Sequence, residues 1–177
     1  LSFMLIAGEA SGDTLAAELV GALRWTVVPG SLDPTAGVQP LRTALAPRFF
    51  GAGGPKMAAA GVELAFDLTQ HSVIGISDVF MNIFKFRRLF QQLFRLALER
   101  QPDVIIGVDY GGFNLRFGRA IKQYVRAHRS RFNNWNPKIV QFVSPQVWAS
   151  RPARAYTLAE NYDLLLSIFP FEKDWYA

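Results

Sequence analysis

The chain has no cysteine and only two histidines, His71 and His128. Without thiols there is no disulfide framework and no thiolate metal site, a composition that suits a reducing compartment. Two isolated imidazoles exclude a histidine-rich metal centre. No apolar run approaches the ~20 residues that span a bilayer. The opening LSFMLIAGEASGD has neither the basic segment nor the long apolar core of a secretion signal. There is no internal repeat, no low-complexity tract, no zinc spacing and no nucleic-acid motif. No glycine-rich dinucleotide fingerprint follows the first apolar run. Neither GEASGD nor GAGGPK has the phosphate-loop spacing that ends in Lys-Ser/Thr.

What is present is a globular composition. Of 177 residues half are hydrophobic and 19% charged, enough for one domain with a packed core. The net charge of +5 suits anionic partners: nucleic acid, phosphorylated small molecules or an anionic membrane surface. The chain opens on Leu1 and stops at PFEKDWYA, which reads as the beginning of another element, so a segment of a longer protein is expected.

SFMLIA, residues 2–7, reads as a buried strand ended by Gly8. Ser11 or Asp13 then caps a helix over Asp13–Arg24. VVPGSLDPTAGVQP is a loop or an inserted excursion. RFFGAGG, Arg48–Gly54, is a second strand breaking into a glycine turn, and PKMAAAG a short helix with Pro55 in its first turn. Residues 79–99 give the clearest helix. Val79, Ile83, Phe86, Phe90, Leu93 and Ala97 recur at helical spacing, opposite Asn82, Lys85, Arg88, Gln92, Arg95 and Glu99. DVIIGVD, Asp103–Asp109, is a strand; YGGFN breaks it, and a helix over Leu115–Ala127 follows. After the polar loop RSRFNNWNP come the strand KIVQFVS, the turn SPQVWASR, a helix over 152–161 and a last strand, Asp163–Phe169, stopped by Pro170. Apolar strands alternating with amphipathic helices imply an α/β fold with a doubly wound, mostly parallel, Rossmann-like sheet.

In such a sheet ligands bind outside the carboxyl ends of the strands. Glu9, Ser11 and Asp13 follow the first strand, Gly51, Gly53 and Gly54 end or follow the second, and Asp109 and Ser144 end two later ones. If the strands are parallel, these groups share one rim. Ser11 and Asp13 serve equally well as helix caps, and the glycines as a tight turn. Asp109 follows an apolar run directly and precedes two glycines, so it is either a site carboxylate or a hydrogen-bonding brace of the turn. On the helix 79–99, Phe80, Phe84 and Phe94 widen the apolar face, with Lys85, Arg87, Arg88 and Arg95 beside them. That pairing reads as membrane-surface contact, or as core. No metal is expected.

AGEASGD, GAGGPKMAAAG, SVIGISDV, PDVIIGVDYGGFN, VSPQVWASRPAR and FPFEKDWY occur in this order. From Ala7 to Tyr176 the chain resembles the lipid-A-disaccharide synthases, membrane-associated glycosyltransferases of bacteria with an outer membrane. The resemblance implies a GT-B fold, of which residues 1–177 would be the amino-terminal, acceptor-side domain. The carboxyl-terminal domain, which supplies most of the nucleotide site, would be missing. It implies transfer of 2,3-diacylglucosamine from UDP-diacylglucosamine to the 6-hydroxyl of 2,3-diacylglucosamine 1-phosphate, with inversion and with no cofactor and no nucleic-acid partner. It also implies a cytoplasmic enzyme, peripheral on the anionic inner-membrane surface, and leaves a homo-oligomer open.

On this resemblance Asp109 is the catalytic base. Glu9, Ser11, Gly53, Gly54, Asn114, Ser144, Gln146, Arg151 and Arg154 bind substrate, with Arg151 and Arg154 either holding phosphate or bracing the turn. Phe80, Phe84, Lys85, Arg87, Arg88 and Phe94 contact membrane or acyl chains. The chain departs from the family pattern at Gly111-Gly112 (in place of Pro-Asp), Asp78 (Glu), Gln141-Phe142 (His-Tyr) and Ser150 (Trp). A GT-B enzyme with another lipid or sugar acceptor, or a non-catalytic membrane-surface lipid-binding domain, is the alternative.

Overall fold

The computed structural model describes residues 1–27, 46–69, 79–145 and 154–176. Their elements run β1 (Ser2–Ala7), α1 (Ala10–Val27), β2 (Arg48–Gly53), α2 (Pro55–Ala59), β3 (Glu63–Asp67), α3 (Val79–Arg100), β4 (Val104–Val108), α4 (Gly111–His128), β5 (Lys138–Phe142), α5 (Arg154–Asn161), β6 (Leu164–Leu166) and α6 (Glu172–Tyr176). The six strands form one sheet in the order β3-β2-β1-β4-β5-β6, and every pairing is parallel. This is the expected α/β, Rossmann-like sheet.

The alternation of β1 shows why its sequence is apolar throughout. Phe3, Leu5 and Ala7 point into one core with Ala16 and Val20 of α1 and Met57 of α2. Met4 and Ile6 point into the other, with Leu93 and Ala97 of α3 and Phe113, Phe117 and Ile121 of α4. A strand covered on both faces has no solvent side on which to place polar residues. The chain winds outward from β1 to β3, returns through α3 to β4, and winds outward again to β6. The reversal falls between β1 and β4, where loops leave in opposite directions and open a crevice.

Several expected boundaries move. α1 begins at Ala10, inside AGEASGD, and runs to Val27. The strand expected over Asp103–Asp109 is Val104–Val108, because the Asp103 carboxylate turns to accept the Ser2 amide at 2.7 Å and Asp109 adopts φ 51°. The helix expected from Leu115 starts at Gly111, so the glycine pair belongs to its first turn. β5 stops at Phe142 and β6 is only Leu164–Leu166. The edge strand β3 was not anticipated. Most of the expected excursion after α1, and the turn from Gln146, lie outside the described residues.

The far edge of the sheet is held by Asp163. Its carboxylate accepts from Lys122 at 2.8 Å, from Lys138 at 3.1 Å and from the Ile139 amide at 2.8 Å. Burial pushes its pKa up, but these donors outweigh burial and the net shift is downward. A depressed carboxylate contributes stability above its unfolded pKa and loses it as pH falls through the folded one. Asp163→Asn should therefore cost about 1–3 kcal/mol at neutral pH. In urea titrations the gap to wild type should narrow steadily below the ordinary value of 3.8.

Candidate functional site

The rim at the β1/β4 reversal is built by two turns. After β1 the chain passes Gly8 and Glu9 and enters α1, with the Asp13 amide donating to the Glu9 carbonyl at 2.9 Å. After β4 it passes Asp109 and Tyr110, both left-handed at φ 51° and 44°, and enters α4. Aspartate tolerates that conformation better than most residues; tyrosine does not. Two side-chain amides hold this turn. Asn114 Nδ2 and Gln141 Nε2 donate to the Asp109 carbonyl at 2.8 and 2.9 Å. Gln141 Nε2 also reaches the Val143 carbonyl at 3.2 Å, and Val143 itself has φ 66°.

Gly8 is required by close approach. A Cβ there would lie 2.3 Å from the Tyr110 ring. Tyr110 therefore lies across the first turn and stacks on Phe113 at 5.7 Å. Desolvation, and then the Glu9 charge beside it, raise the Tyr110 hydroxyl above its ordinary pKa. Glu9 is exposed and close to that ring.

The Asp109 side chain is half-buried at the crevice. The Ser11 hydroxyl donates to its Oδ2 at a long 3.4 Å. Oδ1 has no hydrogen-bond partner among the described residues. Chemically this is a strand-end carboxylate with one weak donor and one open face, positioned to accept a proton or to stand near developing positive charge.

Other expected site residues have structural partners. Asp13 is buried and does not cap its own helix. Its carboxylate accepts the amides of Gly54 at 2.8 Å, Lys56 at 3.0 Å and Met57 at 3.0 Å, and so caps α2. Gly54 is pressed against that carboxylate, since a Cβ would meet Asp13 Oδ2 at 2.6 Å. Gly53 is pressed against Met57 Sδ, 2.1 Å from its Cβ position. Asn114 is buried and serves as one of the two donors to the Asp109 carbonyl. Ser144 donates to the buried Glu172 at 2.5 Å, and Tyr176 donates to the Pro145 carbonyl at 2.6 Å. The FPFEKDWY segment is thus folded back on the rim.

On α3, Phe84 is 74% exposed, and Lys85, Arg87 and Arg88 are exposed with it. Phe94 faces the other way, between Phe117 at 6.3 Å and Tyr124 at 5.8 Å. Arg154 lines a cavity between α4 and α5. The side chains of Phe80, Gln146 and Arg151 lie outside the described residues. Tyr110, Gln141 and Glu172 were not singled out as site residues. The signal for Gln141 was available: adjacent parallel strands put it opposite Gly107, two residues before Asp109.

The family model for lipid-A-disaccharide synthetase matches residues 3–177. A lipid-A-disaccharide synthase of Myxococcus xanthus is 39% identical over 173 residues, 98% of this chain and 38% of the relative. Those of Alcanivorax borkumensis and Geobacter sulfurreducens are 37% and 36% identical, over 97% and 98% of the chain and again 38% of the relative. The chain therefore spans less than half the length of these relatives.

The assignment of Asp13 has a direct check. Asp13→Ala leaves the amides of Gly54, Lys56 and Met57, at the start of α2, without their acceptor and should cost about 3 kcal/mol in urea unfolding. A loss below about 0.5 kcal/mol, the range of an ordinary surface substitution, would show that the capping contact carries no stability.

Proposed function

The chain belongs to the lipid-A-disaccharide synthetase family, and on that premise we propose that it is the acceptor-side half of an inverting GT-B glycosyltransferase of lipid A biosynthesis. The donor is UDP-2,3-diacylglucosamine and the acceptor 2,3-diacylglucosamine 1-phosphate. The acceptor's 6-oxygen attacks the anomeric carbon while UDP leaves from the opposite face with the bonding electron pair. The hydroxyl proton passes to Asp109. The donor nucleotide is held chiefly by the carboxyl-terminal domain, beyond the segment described.

The observation that carries this reading is the Asp109 carboxylate, presented at the sheet reversal with Oδ1 unpartnered among the described residues. Its backbone is clamped through its carbonyl, so the carboxylate is aimed without its own oxygens being used for the aiming. Ser11 and Glu9 stand on the facing turn, within reach of a sugar bound there. An oxocarbenium-like centre is stabilised by nearby negative charge, and a base close to the hydroxyl lowers the barrier further.

Both substrates are acylated, so the site must lie close to a membrane surface. No helix among the described residues is long and apolar enough to cross a membrane. The reading is a protein peripheral on the cytoplasmic face of the inner membrane, docked through the start of α3. α3 delivers its last residue, Arg100, close to the start of β4, so its first turns lie toward the carboxyl rim. Phe86 packs edge-on against Phe113 at 4.9 Å, in the first turn of α4, so this end of α3 lies at the end of the sheet that carries Asp109, with Phe84 exposed on the outer side of the helix. An aromatic ring flanked by cations suits an anionic interface.

Two experiments on the full-length protein test the reading. Asp109→Asn should lower acceptor-dependent UDP release by about 10²–10⁴-fold with the fold intact. A folded wild type that binds lipid yet releases no UDP would instead indicate another acceptor or a non-catalytic lipid-binding protein. Phe84→Ser should weaken binding to phosphatidylglycerol vesicles by roughly tenfold without changing stability, as expected for losing one inserted aromatic side chain. Phe94→Ser should do the reverse, costing about 2–4 kcal/mol of stability through its lost packing.

A further inference from the structure

A cavity of about 130 Å³ opens between α4 and α5, lined by Gly112, Leu115, Arg116, Arg119, Arg154 and Thr157. All its polar side chains can donate hydrogen bonds and none is a carboxylate. Arg116 and Arg119 follow Gly112 by four and seven residues, the spacing of one helix face. Neither arginine has an ion-pair partner among the described residues. Like charges gathered round one concavity repel unless an anion joins them.

The start of α4 adds to the same field. The Gly112 amide is among the four that a helix leaves without an intrahelical partner. A Cβ at Gly112 would meet nothing within 4 Å, so that end is open to an approaching group. Guanidinium planes match phosphate oxygens two at a time. The concavity is of a size to take a phosphate group.

We propose that Arg116, Arg119 and Arg154, with the Gly112 amide, hold a phosphate monoester, the 1-phosphate of the sugar acceptor. The identity of the phosphate-bearing group rests on the glycosyltransferase reading; the anion site itself does not. Position favours the acceptor. Gly112 is the second residue of α4 and follows Asp109 by three residues across the left-handed turn, so the cavity begins close to the base in the chain. In a hexopyranose α-1-phosphate the phosphate on C1 and the hydroxyl on C6 flank the ring oxygen and project from opposite faces of the ring. Lodging the phosphate between α4 and α5 leaves the hydroxyl over the rim. Gly112 leaves that part of the turn clear, whereas Gly111 is pressed against Pro145, 2.9 Å from its Cβ position.

The test is direct binding, read separately from turnover. The full-length protein and its Arg116→Gln/Arg119→Gln variant are titrated calorimetrically with glucosamine 1-phosphate, glucosamine and inorganic phosphate. Both are also tested against phosphatidylglycerol and phosphatidylcholine vesicles. The expected result is a wild type that prefers glucosamine 1-phosphate to glucosamine, and a variant that binds the sugar phosphate about tenfold or more weakly. The variant's KM for the acceptor should rise alongside, with vesicle binding unchanged. Equal sugar-phosphate binding by both proteins overturns the proposal and makes the arginines a solvated face. Equal sugar-phosphate binding together with lost phosphatidylglycerol binding overturns it in favour of a lipid headgroup. A wild type that binds the sugar phosphate through these arginines but releases no UDP keeps the site and removes the transferase reading.

Discussion

Two side-chain amides, one from α4 and one from β5, meet on the carbonyl of Asp109, and the shape of the rim depends on that meeting. Three non-glycine residues around it, Asp109, Tyr110 and Val143, have positive φ. Each such residue costs about 1–3 kcal/mol. A hydrogen bond contributes a net 0.5–1.5 kcal/mol or about that, so the donors from Asn114 and Gln141 do not offset the strain alone. The remainder comes from packing. The Tyr110 ring covers Gly8 and stacks on Phe113, in a place where only glycine leaves room for it. Asn114 Oδ1 and Gln141 Oε1 are buried with no hydrogen-bond partner among the described residues, which is a further cost. Apolar residues in both places would relieve that cost but lose the donors. The two amides are explained by the turn they hold, not by the stability of the core.

The same turn couples the rim to the outer helix. Tyr110 stacks on Phe113; Phe113 touches Phe86 and Phe90; Phe90 touches Phe117, which continues to Phe94 and Tyr124. These rings fill the space between α3 and α4 on one face of the sheet. A phenylalanine-rich helix is therefore mainly core. Among the described side chains of α3, the one exposed large apolar group is Phe84, with basic residues beside it. The ring stack begins at Asp109's neighbour, so α3 is packed through Phe86 and Phe113 against the turn that carries Asp109.

The fold was legible because its signals are local. β1 and β4 are apolar runs of strand length, and α3 carries its stripe over five turns. β3 escaped because an edge strand with only one neighbour needs no continuous apolar run; Glu63 and Ala65 are exposed. The end of β6 was overextended for a related reason, since Ile168 and Phe169 are apolar yet exposed. The site was legible as a rim but not as partners. Which acid lies open depends on contacts between segments far apart in the chain, such as Asp13 with Gly54 and Ser144 with Glu172. No spacing rule encodes those. Register could have pointed to Gln141, but only once β4 and β5 were known to be neighbours.

Asp13 and Asp109 make that limit concrete, because they are the same residue type on the same rim with opposite fates. The difference lies in where the following helix begins. α1 starts at Ala10, so Asp13 is already inside it, on the side facing α2, and three amides occupy its oxygens. α4 starts at Gly111, after Asp109, so that carboxylate belongs to the turn and not to a helix face. An acid one turn into a helix is drawn into packing; an acid just before the helix stands at the mouth of the crevice. The left-handed pair Asp109-Tyr110 fixes this start, since two such residues cannot be absorbed into a right-handed helix. Backbone strain at the strand end is thus what leaves one carboxylate of the rim open to chemistry.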